Sequence, residues 1–108
     1  MSDKEFYFCL SEVENYSDID AYVSDLALSS IWSEDVTLDE LVPKLQAIYR
    51  FYNMPFRDMV YAAGYNQNTF AQRFCVPLRT VQHWCNGDRE CPLYFRLAAA
   101  ELLHVVVR

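Results

Sequence analysis

The chain has 108 residues, of which 53% are hydrophobic and 22% charged, and its formal net charge at pH 7 is -6. A chain of this length should bury roughly 60 to 68% of its unfolded surface around one core, and its aromatic content excludes a disordered chain. It has neither a basic start followed by an apolar run and a cleavage site nor the roughly 18 apolar residues of a membrane span. These observations predict a folded cytoplasmic protein that has no contact with membranes.

The elements that the sequence predicts are all helices, so the expected fold class is all-α, a compact bundle of about six helices. No structure is assigned to the apolar start around residues 6 to 10. Ser17 and Asp18 then cap the first predicted helix. Its apolar face recurs at helical spacing and consists of Ile19, Tyr22, Val23, Leu26, Ala27 and Ser30.

A second helix is predicted after Thr37, because Glu40 follows three residues later and completes a capping-box pattern. Its apolar stripe is formed by Leu38, Leu41, Leu45, Ile48, Tyr49 and Tyr52. Pro55 can open a third helix that ends at Gly64, and Asn66 can cap a fourth.

The two halves of the chain differ in charge. Residues 1–54 hold three Lys and Arg against eleven Asp and Glu, a net charge of -8. Residues 55–108 hold six Arg against four acidic residues, a net charge of +2. A contact with nucleic acid is therefore expected in the second half.

The segment FAQRFCVPLRTVQHWCNG, residues 70–87, predicts two short helices that meet at a tight corner. Apolar residues counted from Gln67 fall on the facing sides of the two helices: Phe70, Ala71, Phe74, Val76, Val81 and Trp84. Ala71 is small where the helices should approach closely, and Phe70, Phe74, Val81 and Trp84 should fill the wedge between them.

The outward face of the second of these helices is predicted to carry Leu78, Arg79, Gln82 and His83, which are three or four residues apart. The Arg, Gln and His side chains provide donors and acceptors suited to base edges in a major groove.

Residues 64–92 resemble the helix-turn-helix of the Cro and λ-repressor family. The matching positions are Gly64 and Tyr65 at the end of the first helix, Gln67, Ala71, Val76, Thr80 and Val81, Trp84, Asn86 and Gly87, and Pro92. The resemblance implies a domain at 55–108 that binds double-stranded DNA, with a recognition helix over about 78–85. It also implies phosphate contacts for Asn66, Gln67 and Thr80, and a backbone contact for Arg89.

Two residues depart from the family pattern. Cys75 stands in the turn where the family usually has Gly, so we expect a slightly remodelled corner, since a side chain at positive φ is uncommon and costs energy. Pro77 replaces the usual Ser or Thr that caps the recognition helix, which removes a side-chain oxygen.

Other kinds of function have little support in the sequence. The spacing of Cys9, Cys75, Cys85 and Cys91 matches neither paired C-x-x-C zinc spacing nor a redox C-x-x-C, so reduced thiols that act as small apolar side chains are predicted. A thiol switch that uses Cys85 and Cys91 is the alternative. No catalytic motif or phosphate-binding Gly-rich loop is present, and we predict no enzyme, cofactor or metal.

Two hypotheses follow. The first is a sequence-specific transcription regulator whose acidic N-terminal helical segment, residues 1–54, serves for homodimerisation, contact with a protein partner or restraint. The second is a protein-interaction module, such as an antitoxin-like accessory factor, on the same helix-turn-helix scaffold.

Overall fold

The computed structural model describes residues 1–108 and confirms the all-α fold class. It contains seven α-helices, a 3-10 turn at Val13–Asn15 and no strand. The helices are α1 Asp3–Glu12, α2 Ile19–Ala27, α3 Leu38–Asn53, α4 Phe56–Ala62, α5 Gln67–Phe74, α6 Leu78–Asn86 and α7 Leu93–Leu102. None of them combines the length and the apolar character that a membrane crossing requires.

The chain divides into two compact units. The first comprises Met1–Asn53 together with Val106–Arg108, and the second comprises Met54–Val105. Val106 is 1% exposed. Arg108 forms an ion pair with Asp3, and its guanidinium carbon lies 4.5 Å from the centre of the Phe6 ring. The first unit is therefore built from both ends of the chain.

The core of the first unit forms where α1 and α2 pack on α3. Phe6, Cys9, Tyr22, Leu45 and Ile48 are all fully buried there. The buried Tyr22 hydroxyl donates a hydrogen bond of 2.7 Å to the carbonyl oxygen of Cys9, which satisfies its polar end inside the core.

Helix α1, Asp3–Glu12, covers the apolar start to which no structure is assigned from the sequence. Ser2 caps it through a capping box in which the Glu5 amide donates to Ser2 Oγ and the Ser2 amide donates to Glu5 Oε1. The Ser-x-x-Glu pattern that signals such a cap is present in the sequence.

Two details of the first unit correct the sequence predictions. Helix α2 ends at Ala27, so Ser30 lies outside it. The Trp32 indole N–H donates a 2.6 Å bond to the carbonyl oxygen of Leu26, which also accepts a 3.2 Å bond from the Ser29 amide. Leu38 begins α3 but is 54% exposed, whereas Phe51 joins the buried stripe in its place.

The second unit is organised around aromatic rings. Phe70 is fully buried, and its ring centre lies 5.4 Å from that of Phe56. The Trp84 ring packs 5.3 Å from both Phe56 of α4 and Phe95 of α7. Trp84 therefore contacts α4 and α7, two neighbours that the sequence did not predict for it.

Candidate nucleic-acid interface

Helices α5 and α6 are joined by a turn of three residues, Cys75–Pro77. Cys75 adopts a left-handed backbone with φ 54° and ψ 38°. The Val76 amide then donates a 3.0 Å bond back to the carbonyl oxygen of Ala71, which is 5% exposed. The small Ala71 side chain and the left-handed residue after α5 together close the corner tightly.

Helix α6 starts directly after Pro77, which provides no side-chain cap. The amides of Thr80 and Val81 donate to the Pro77 carbonyl oxygen at 3.0 and 3.2 Å and begin the helical hydrogen bonding. Because proline fixes φ near the helical value, it defines where a helix begins without a capping oxygen.

The two sides of α6 differ strongly in burial. Val81 is fully buried, while Leu78, Arg79 and Gln82 are exposed. Gln82 lies four positions after Leu78 and three after Arg79, so it neighbours each of them on the helix surface. No Asp or Glu occurs between residues 78 and 86. The exposed face of α6 thus has one cation, one amide and one apolar side chain, and no carboxylate of its own.

His83, which the sequence assigns to the same face, is held by a neighbour. Its Nδ1 atom lies 3.2 Å from Oδ2 of Asp88, and its side chain is 29% exposed. The backbone brings the two residues together. The Asp88 amide donates a 3.0 Å hydrogen bond to the His83 carbonyl oxygen, and Gly87 between them has a φ of 81°. The imidazole is therefore positioned by the end of α6 and is less accessible than Arg79 or Gln82.

The residues implied as phosphate contacts lie in different environments. Asn66 Oδ1 accepts a 2.8 Å bond from the Thr69 amide, so this side chain caps α5. Gln67 is half-buried at the start of α5. Thr80 is half-buried in the first turn of α6.

Arg89, the implied backbone contact, is exposed in the segment that follows α6. It lies between Asp88 and Glu90, which are both exposed. Its charge is consequently partly offset by two neighbouring carboxylates.

Arg57 belongs to this surface, and the sequence analysis missed it. It is exposed in the first turn of α4, and its Nη2 donates to Asn86 Oδ1 at 3.4 Å, at the end of α6. Burial raises the pKa of the Cys85 thiol, and the nearby Arg57 charge opposes that rise. The contact spans 29 residues, so no local pattern reveals it.

Two further arginines of the second unit contact groups outside α6. Arg96 is half-buried and donates from Nη1 to the carbonyl oxygen of Met54 at 3.3 Å. Arg73 is exposed, and its guanidinium carbon lies 5.3 Å from the Phe74 ring centre.

The second unit has five Arg against four acidic residues, a net charge of +1, whereas the first unit has a net charge of -7.

The cysteines and acidic residues form no alternative site. All four cysteines are free thiols: Cys9 and Cys91 are buried, Cys85 is half-buried and Cys75 is exposed. No group of three or more His, Cys, Asp or Glu side chains is arranged to hold a metal ion.

Known proteins offer no direct guide to this surface. Protein-family models, curated proteins and solved structures all fail to give a match to the chain. A functional assignment must therefore depend on the side chains that α6 exposes, above all Leu78, Arg79 and Gln82.

Proposed function

We propose that the chain is a sequence-specific, DNA-binding transcription regulator in which α5 and α6 form a helix-turn-helix and α6 is the recognition helix. The observation that carries this proposal is the exposed face of α6, where Leu78, Arg79 and Gln82 lie together with no carboxylate in the helix. The resemblance of residues 64–92 to the Cro and λ-repressor family supports the same assignment.

The chemistry of the face suits a major groove. An α-helix fits the groove, Arg forms paired hydrogen bonds with guanine, and Gln forms them with adenine. The nine residues of α6 span about 13 Å, so the helix is long enough to reach several base pairs. Arg79 lies in its first turn and forms no ion pair within the protein, which leaves its guanidinium available.

Around this face, Thr80, Arg57 and Arg89 are the residues that we assign to the phosphate backbone. Backbone contacts of this kind fix the position of a protein on the duplex without reading its sequence. The net charge of +1 on the second unit makes this electrostatic part of binding small. Sequence readout by Arg79 and Gln82 then contributes a large share of the discrimination.

The first unit has a net charge of -7 and is therefore repelled by phosphate. In this proposal its helices α1 to α3 serve for homodimerisation, for contact with a protein partner or for restraint of DNA binding.

A second candidate function is a protein-interaction module, such as an antitoxin-like accessory factor. It is favoured by the low positive charge of the second unit and by Asp88 and Glu90, whose carboxylates flank Arg89. A protein partner would tolerate these carboxylates better than a phosphate backbone does.

Selection of bound sequences from a random duplex pool tests the first candidate and supplies the site. Arg79→Ala should then leave the melting temperature nearly unchanged and cost about 1 to 3 kcal/mol of discrimination at one base pair. Arg73→Ala is the matched control, because it removes the same charge from an exposed position on α5. It should weaken binding slightly and equally for all sequences.

Trp84→Ala separates the scaffold from the reading face. Its half-buried ring packs on Phe56 and Phe95, so we expect a loss of about 3 kcal/mol of stability. DNA binding should be lost only at temperatures where the variant unfolds. A pool that yields no enriched duplex at low salt, or an Arg79→Ala variant with unchanged affinity and base preference, would favour the protein-interaction candidate.

A further inference from the structure

The exposed face of α6 includes one residue that cannot form hydrogen bonds. Leu78 is the first residue of the helix, and its side chain is 38% exposed. Leu78 and Gln82 are one turn apart on the same face. Among the groups that base pairs present in the major groove, the thymine 5-methyl is the apolar one.

We propose that Leu78 is a specificity-determining residue that reads the 5-methyl group of a thymine. This inference rests on the proposed function and names a feature of the duplex that α6 binds. Four residues of helix correspond to about 6 Å, and base pairs are about 3.4 Å apart. The thymine that Leu78 contacts therefore lies within about two base pairs of the pair that Gln82 contacts.

The charge of the neighbouring side chains supports an apolar contact at this position. Arg79, the next residue, provides a guanidinium for an adjacent guanine or phosphate, and neither residue has a carboxylate beside it in the helix. A thymine methyl covered by Leu78 loses contact with water while the polar base edges keep their hydrogen bonds to Arg79 and Gln82. Discrimination against cytosine and against uracil at this position follows from the same contact.

Deoxyuridine provides the test, because it differs from thymidine only by the absent methyl group. In the duplex selected by the wild-type protein, each thymidine is replaced in turn by deoxyuridine and the dissociation constant is measured. We expect one position to weaken binding about three- to fivefold, the effect of losing contact with one methyl-sized group. Leu78→Ala should bind the thymidine and deoxyuridine duplexes equally well.

The chain contains a matched control for this substitution. Leu93 is the first residue of α7, follows Pro92 as Leu78 follows Pro77, and is 39% exposed. Leu93→Ala should keep the full sensitivity to deoxyuridine, and the melting temperatures of both variants should show that they are folded.

The outcomes separate this inference from the proposed function. If a duplex is selected and Arg79→Ala changes its base preference, but every deoxyuridine duplex binds as tightly as its parent, the methyl contact is wrong and the DNA-binding function stands. Sensitivity that persists unchanged in folded Leu78→Ala would also overturn the assignment to Leu78. Failure to select any duplex would overturn both.

Discussion

The left-handed conformation of Cys75 makes a quantitative prediction about the corner between α5 and α6. Its φ of 54° and ψ of 38° lie in the region that an L-residue enters at a cost of about 1 to 2 kcal/mol. Replacing Cys75 by Gly removes this cost, but it gives the unfolded chain extra freedom worth about 0.4 to 1 kcal/mol. The Cys75 side chain is exposed, so its loss removes little packing. The net expectation for Cys75→Gly is a gain of about 0.5 to 1 kcal/mol in the free energy of unfolding.

Urea unfolding followed by circular dichroism measures this change, which should appear as a higher midpoint with an unchanged slope. Gly87→Ala is the opposite control. Gly87 has a φ of 81°, and an added Cβ would meet no atom within 4 Å. The cost is therefore purely conformational: about 1 to 2 kcal/mol of backbone strain, less the roughly 0.4 to 1 kcal/mol by which Ala restricts the unfolded chain. A lower free energy of unfolding for Cys75→Gly would refute the reasoning, because it would mean that the thiol stabilises the corner by more than the strain costs.

Two further predictions concern salt and pH. Two cations, Arg57 and Arg89, are assigned to phosphates, so the logarithm of the DNA-binding constant should fall with the logarithm of salt concentration with a slope of about -2; a titration from low to physiological salt measures this slope, and a slope near zero would contradict phosphate contact. Burial raises the pKa of the Cys9 and Cys91 thiols from 9.0 to about 12. The contribution of these thiols to the free energy of unfolding should therefore be constant below about pH 9 and fall between pH 9 and pH 12, where the unfolded chain loses these protons and the folded chain keeps them. Urea midpoints at pH 8 and pH 10 test the fall, which Cys91→Ala should reduce.

Much of the fold could be predicted because its signals are local. Asp18 caps α2, Asn66 caps α5 and Pro55 precedes α4, as the sequence indicates. Each of these signals depends on hydrogen bonds or φ values within one helical turn. Helix α1 also begins at a local signal, because its capping box is formed by the Ser2 and Glu5 of a Ser-x-x-Glu pattern.

The features that the sequence did not predict are tertiary. Trp84 contacts Phe56 and Phe95, whose side chains come from helices outside the α5 and α6 pair. The Leu26 carbonyl in the last turn of α2 accepts a hydrogen bond from the Trp32 indole, which lies beyond the helix. Helical spacing indicates which face is apolar, but it does not indicate which neighbouring element covers that face.

The candidate site also combines residues that the sequence predicts correctly with a contact that it does not predict. Spacing alone groups Leu78, Arg79 and Gln82, and the structure exposes all three on α6. Spacing also adds His83, but the turn at Gly87 brings Asp88 back to 3.2 Å from its imidazole. Whether these side chains read bases stays a prediction, for which the duplex selection and the Arg79→Ala comparison are the tests.

The last three residues of the first unit follow the whole of the second unit in the sequence. Residues 106–108 belong with Met1–Asn53, and they are synthesised only after the whole of Met54–Val105. On the ribosome, where domains usually become complete from the N-terminus onward, the second unit is the first to have its full set of residues. The acidic unit, although it begins the chain, is the last to be completed, so the candidate DNA-reading unit is fully synthesised before the acidic one.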